Sequence, residues 1–245
     1  MRWALTATAK TRGTVTVISL EGSRRVDKVK FHFDPRCPWC YQTSRWAIRL
    51  EQLGEVELDW GVFSLEVANL PEGEDPRALE AASGPALRTA VTIRDRVGSP
   101  AIGPFYAALG ARIWEQPPPP DDMVEAIRAA LREAELDPLL VDAAIADRSS
   151  WDAVLAEHEA LVARTGAFGV PTLVIDGDDG PAIFGPVVSA LPTDEDAVEM
   201  WRHIRWLVRY GNFAELKRGR GNPPDLPTAS WFRREREKSA ASAST

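Results

Sequence analysis

One stretch narrows the possible folds of this chain more than any other: an alternating run, Val29, Phe31 and Phe33 between Lys30 and His32, stops at Asp34-Pro35 and leads into Cys37-Pro38-Trp39-Cys40. The alternation is that of a strand with one buried face. After Cys40 the period changes, with Trp46, Ala47, Leu50 and Leu53 recurring at steps of three and four until Gly54 supplies a left-handed stop. The spacing predicts a helix from about Pro38 to Leu53. Both cysteines of the chain therefore sit where a strand gives way to a helix.

That position carries chemistry. Two thiols separated by two residues at a helix start close a disulfide with little backbone change. Free N–H groups and the positive end of the helix dipole favour thiolate at the first sulfur. Motifs of this geometry lower a cysteine pKa from ~8.5 to roughly 3.5–7. Cys37 is the expected nucleophile, and Cys40, about one turn further in, is the expected resolving thiol, placed to attack a mixed disulfide on Cys37. Pro38 donates no N–H, and Trp39 adds a flat apolar surface beside the sulfur. The rival reading of a Cys-x-x-Cys is half of a zinc site. Here no second cysteine pair exists, and His32, His158 and His203 show no ligand spacing, so no metal is expected. His158 falls on an apolar stripe, as a core histidine would.

Beyond this unit, Val56, Leu58, Trp60 and Val62 alternate with Glu57, Asp59 and Gly61 and predict a second strand. From Pro71 to Thr165 the pattern is helical only. Start signals stand at Pro76, Pro104, Asp121-Asp122 and Asp137-Pro138, and four or five helices are expected. Pro117 to Pro120 reads as a stiff connector. Strands return at Thr172 to Ile175 and Ala182 to Phe184 around a Gly177-to-Gly180 turn, predicting a hairpin. Thr193 before Asp194, Glu195 and Asp196 predicts the cap of a last helix whose Val198, Trp201, Ile204 and Leu207 face the core. From Asn222 onward no period survives, and the tail is expected to be largely disordered.

The resulting order is strand-helix-strand, a helical insertion, then strand-strand-helix: an α/β fold. The expected divisions are an N-terminal extension over residues 1–25, a core over 26–69 and 166–221, an insertion over 70–165 and a tail over 222–245. In the extension, Thr14 to Ile18 alternates like a strand but lacks support around it.

A chain of 245 residues buries a large core without a staple, so the cysteines are not needed for stability. A net charge of −7 argues against nucleic acid or an anionic membrane as partner. The apolar stretch near the start is shorter than a signal needs, and no run approaches the roughly 18 apolar residues of a membrane helix. A cytoplasmic protein is expected, in which a disulfide is transient and catalytic. Monomer and homodimer are both compatible with the pattern.

Phe33-Asp34-Pro35-Arg36-Cys37-Pro38-Trp39-Cys40, followed by Thr43-Ser44-Arg45-Trp46, resembles the DsbA-like branch of the thioredoxin superfamily, and within it the mycothiol-dependent reductases and nitroreductases. Further matches are Phe63-Ser64-Leu65 with Asn69, Gly84-Pro85, Tyr106 to Gly110 with Arg112, Phe184-Gly185-Pro186-Val187, and Phe213 to Arg218. The resemblance implies a thioredoxin fold with a large all-helical insertion and a substrate cleft between the two. It implies catalytic Cys37 and Cys40, and a cleft lined by Pro38, Trp39, Asn69, Val170, Pro171 and Thr172. It also implies a cis Val170–Pro171 bond lying against the active sulfur. No tightly bound cofactor is implied; mycothiol serves as thiol co-substrate, with a small-molecule or protein disulfide, or a small electrophile such as a nitro compound, as the other reactant. Trp114 stands where the resemblance leads one to expect histidine. The competing readings are an enzyme resembling kappa-type glutathione transferases or 2-hydroxychromene-2-carboxylate isomerases, which need no resolving cysteine, and a non-catalytic redox-sensing binding module.

Overall fold

A computed structural model describes residues 26–242; the predicted Thr14-to-Ile18 alternation lies outside them. The alternating run forms strand β1, Asp27–Phe33. Helix α1, Pro38–Gln52, follows, and Gly54 takes a left-handed φ of 71° just past its end. Strand β2, Val56–Val62, returns parallel to β1, so α1 is the crossover of a strand-helix-strand unit. Strands β3, Thr172–Ile175, and β4, Ala182–Phe184, form the predicted hairpin. β3 lies antiparallel on the free edge of β1, giving the sheet order β2-β1-β3-β4.

This order puts β1 at the centre of the sheet, and with it the site at the strand's C-terminal end. Phe31 and Phe33 are fully buried against Trp60 of β2, with ring centroids 5.5 and 6.0 Å away. Each such side chain contributes about 2–3 kcal/mol of apolar burial. The opposite face of β1 is covered too, so His32 is buried although the alternation marked it as polar.

Between β2 and β3 come short α2, Leu65–Ala68, then α3, Gly84–Arg96, α4, Ile102–Trp114, α5, Met123–Glu133, α6, Leu140–Ala146, and α7, Ser149–Thr165. Asp122 caps α5 through the amide of Glu125, as its position predicts. Pro76 opens only a single 3-10 turn. The longer α3 starts instead at Gly84-Pro85, under Glu66, which takes the amides of Ala82 and Ser83 and the Ser83 hydroxyl. That cap comes from seventeen residues away, so no local signal announces it.

α4 approaches α1 closely at Gly110, where any Cβ would run into the Tyr41 ring. α7 covers the other face of the sheet. Its Glu157 accepts the Val62 amide at 3.2 Å and pairs with Arg94 at 2.7 Å, and His32 lies 3.8 Å from the same carboxylate.

Helix α8, Asp194–Arg209, is capped by Thr193, which takes the Asp196 amide. It packs on α1, Trp46 against Trp201 with centroids 6.2 Å apart. Buried Asp27 at the start of β1 accepts from the Trp201 indole, Arg205 and Arg209 at 3.1, 2.9 and 2.6 Å, tying α8 to the sheet.

The tail departs from expectation. Residues Pro227–Ser242 form helix α9 against α4, with Leu226 and Thr228 buried at its start. Pro227 suits a first helical turn, and the Ala-, Arg-, Glu- and Lys-rich sequence beyond favours helix without needing an apolar period.

Candidate active site

The turn between β1 and α1 is built around Asp34. One carboxylate oxygen takes the Arg36 amide at 2.8 Å, the other takes the Leu65 amide at the start of α2 at 2.9 Å, and its carbonyl takes the Cys37 amide at 3.0 Å. One buried aspartate thus joins the cysteine turn to the first helix after β2. Burial pushes its carboxyl up to about 6, against the pull of those two amides.

Cys37 is the N-cap of α1. Its backbone is extended, with φ −89° and ψ 108°, and its sulfur takes the Cys40 amide at 3.3 Å. Pro38 occupies the first helical turn, where its missing N–H leaves no gap in the ladder. Both thiols are free and buried, Cys40 completely. Their acidities diverge. Cys37 is lowered, first by the hydrogen bond with the Cys40 thiol and also by the Cys40 and Trp39 amides. Cys40 is raised well above an ordinary cysteine, first by burial and then by Cys37. Of the two sulfurs, Cys37 is the readier to give up its proton and Cys40 the one that retains it.

The Val170–Pro171 peptide is cis and lies against this pair, the Val170 carbonyl accepting from the Cys37 thiol at 3.7 Å. Gly185 donates to the Pro171 carbonyl at 2.8 Å, so the second strand of the hairpin holds this wall in place. Thr172 is buried and its hydroxyl turns back to the Gly169 carbonyl at 2.7 Å. The side chain serves the turn, while its backbone begins β3.

Trp39 is half-buried, and the Arg220 guanidinium lies over its ring at 5.2 Å. Asn69 caps the C-terminus of α2, exposed, with its amide donating to Leu65 O at 2.6 Å. It is one short helix away from Asp34 and does not contact the cysteines. His158 is a core residue: buried, its Nδ1 takes the Ser64 amide at 3.3 Å and its ring stacks by Phe63 at 4.2 Å. His203 is exposed beside Glu199.

The structure adds residues that pattern alone left without a role. Trp114 donates its indole N–H to the Pro35 carbonyl at 3.0 Å, pinning the turn before Cys37 from α4. Tyr41 donates to Glu115 at 2.7 Å, with Arg45 3.5 Å from the same carboxylate. Thr43 donates to the Pro186 carbonyl at 3.2 Å, joining α1 to the segment after β4. Asp34 marked the end of a strand in the sequence; only its burial shows that it also organises the turn. The arrangement can attack a disulfide through Cys37 and resolve the adduct through Cys40.

A family model described as Rv2466c-like, mycothiol-dependent nitroreductase Rv2466c, matches residues 36–218. The uncharacterized protein Rv2286c of Mycobacterium tuberculosis is 34% identical over 200 residues, which are 81% of this chain and 84% of that protein. A candidate protein disulfide isomerase from Nitrosomonas europaea superposes with a TM-score of 0.51 at 14% identity, over 74% of this chain and 99% of that one. A 2-hydroxychromene-2-carboxylate isomerase superposes with a TM-score of 0.52 at 15% identity, over 74% and 96% of the two chains. At these identities the likeness is one of fold: a thioredoxin fold carrying a helical insertion.

Proposed function

We propose, from the premise that this chain belongs to the Rv2466c-like family of mycothiol-dependent nitroreductases, that it is a cytoplasmic thiol-disulfide oxidoreductase cycling between a Cys37–Cys40 dithiol and its disulfide. The observation that carries this reading is the inequality of the two sulfurs. Cys37 caps α1, takes the Cys40 amide and is lowered, whereas Cys40 is fully buried and raised. An enzyme that only activates a bound thiol has no use for a second, proton-holding cysteine.

In the reductive half-cycle the Cys37 thiolate attacks a substrate disulfide and releases one thiolate. Cys40 then attacks Cys37, closing the enzyme disulfide and releasing the second thiol. A nitro compound draws on the same two electrons: the dithiol gives up two electrons and two protons, and the nitro group becomes nitroso with loss of water. Two molecules of mycothiol return the enzyme to the dithiol and leave as mycothiol disulfide. Trp39, the Val170 carbonyl and cis Pro171 form the reactant's binding wall in this reading, with Asn69 at the outer end of α2.

The test is mass spectrometry of the oxidised protein incubated separately with mycothiol, glutathione and a simple alkyl thiol. The expected result is a transient mycothiol adduct on Cys37 that a second mycothiol displaces. Absence of any adduct on Cys37 with all three thiols would overturn the oxidoreductase reading. Preference for glutathione would overturn the mycothiol assignment alone.

A further inference from the structure

Arg220 stands in the segment between α8 and α9, past the end of the family match at residue 218. That segment returns to the cysteine motif, where the Arg220 guanidinium lies over the ring of Trp39, the residue before Cys40, at 5.2 Å. The backbone holds it there. The Gly221 amide donates to the Gly219 carbonyl at 3.1 Å, closing a three-residue turn with Arg220 at its apex. Further on, the Asp225 amide donates to the Ser189 carbonyl at 2.6 Å, and Pro224 and Leu226 are buried. An arginine turned back onto its own protein commonly meets a carboxylate. Among the described residues no acceptor or acidic side chain pairs with this guanidinium; its contact is the indole face. Such a contact places the cation through its charge and leaves the N–H donors uncommitted.

We propose that Arg220 selects oxidising reactants that carry a carboxylate near the reacting group, the guanidinium pairing with that carboxylate while Trp39 backs the cation. This deepens the dithiol cycle proposed above and rests on it. Cys37 and Trp39 are two residues apart at the start of α1, at most about 7 Å between their Cα atoms. A reactant approaching Cys37 therefore enters the field of a cation held on Trp39, and that attraction reaches over a Debye length of ~8 Å at physiological salt. On contact, the planar fork of arginine takes both carboxylate oxygens. The acidic groups around the motif are already committed: Asp34 to the Arg36 and Leu65 amides, Glu66 to the Ala82 and Ser83 amides, and Glu115 to Tyr41 and Arg45. Arg36, immediately before Cys37, adds a second exposed cation. On a chain of net charge −7, an anion is drawn in only where cations are gathered locally.

The experiment uses the reduced full chain and two aromatic disulfides: dithiobis-nitrobenzoate, which bears a carboxylate on each ring, and dipyridyl disulfide, which is uncharged at neutral pH. The Cys37 thiolate attacks one sulfur of the reagent, its S–S bond breaks, and the departing aryl thiol is followed by its absorbance. Release is measured against reagent concentration in wild type, Arg220→Gln and Arg220→Lys. Each comparison is variant against wild type with the same reagent, so the reagents' own reactivities cancel. In Arg220→Gln, release from subsaturating dithiobis-nitrobenzoate should fall about five-fold, the scale of one partly exposed ion pair, and dipyridyl disulfide should stay within about two-fold. The loss should fall on binding and leave the limiting rate nearly unchanged. Arg220→Lys keeps the charge without the fork and should lie between the two. Added salt should bring wild type toward Arg220→Gln with the carboxylated reagent alone.

Equal slowing with both reagents would overturn the proposal, because a displaced segment acts without regard to charge. So would unchanged release from both, which marks Arg220 as an idle surface residue, or a preference for the carboxylated reagent that salt does not weaken. A wild-type protein that releases nothing from either reagent would instead sink the dithiol cycle itself.

Discussion

The Cys40 amide donates to the Cys37 sulfur across 3.3 Å, so the residue that resolves the reaction also prepares its partner for attack. The two positions are therefore not exchangeable. Cys37→Ser should abolish turnover with any disulfide, because the other thiol, Cys40, is completely buried. Cys40→Ser keeps the backbone N–H and the helix start, so Cys37 should still attack, and the adduct should persist as a mixed disulfide. Intact-protein mass spectrometry after a single exposure to substrate distinguishes the two; equal residual turnover in both variants would remove the basis for unequal roles.

Asp34 makes a pH prediction whose sign runs against the usual acidic case. Its folded-state value of about 6 lies above the ordinary 3.8, so the native state holds this proton more tightly than the unfolded chain does. The contribution is complete below about pH 4 and is lost as pH rises through 6. Its size is on the order of 3 kcal/mol, two pKa units' worth. Urea unfolding between pH 4 and 7.5 should show this loss in wild type and a flatter profile in Asp34→Asn. The variant should be the less stable protein at pH 4, because its amide group cannot accept from both the Arg36 and Leu65 amides. Ionised Asp34 also disfavours charge on Cys37, so alkylation of Cys37 at neutral pH should quicken a few-fold in the variant.

Much of this architecture could be read locally. The period of two in β1 and β2, the change to helical period after Cys40, and the capping residues Asp122 and Thr193 all act through neighbours a few residues away. What escaped was long-range. α3 is capped by Glu66 from a different helix, and His32 is buried because α7 covers a face that an isolated hairpin would leave wet. α9 lacks an apolar period because only its first turn, at Leu226 and Thr228, is buried. In the site, the cysteines are legible because their chemistry depends on spacing. Trp114 is not, because a tryptophan on an apolar helix looks like core until the turn it meets is known.

The sheet is tied to α8 by charge, and that tie should fail in acid. Asp27 is buried beneath the Trp201 indole and between Arg205 and Arg209, and it is held below the ordinary carboxylate range; burial opposes ionisation, but the two arginines outweigh it. A depressed folded pKa means the contribution is present above the unfolded value near 4 and disappears as pH falls through the folded one. Asp27→Ala should cost on the order of 2–3 kcal/mol at pH 7. That is below the figure for a wholly buried pair, because both arginines are about one-third exposed. Since the tie lies at the far end of β1 from Cys37, the variant should keep its Cys37 alkylation rate while its denaturation midpoint drops. A matched fall in both would mean that α8 and the cysteine turn are mechanically coupled.

Trp114 holds the approach to Cys37 by one bond, its indole N–H to the Pro35 carbonyl at 3.0 Å. An imidazole at this place would change charge near neutral pH; indole cannot, so the turn is fastened by a donor indifferent to pH. Trp114→Phe leaves the Pro35 carbonyl without this donor and shrinks the side chain, for a cost of about 1–3 kcal/mol. The looser turn should speed hydrogen exchange at the Cys37 amide, which donates to Asp34 O from the same segment. Because that movement shifts the sulfur against the Val170 carbonyl, turnover should fall by roughly three- to ten-fold, with little change in how tightly the substrate is held. Trp114→His restores a donor, so its activity should recover in part and acquire a dependence on pH near the histidine range that wild type lacks. A Trp114→His profile that follows wild type at every pH, with the same amide exchange, would show that the indole contributes bulk and not the bond.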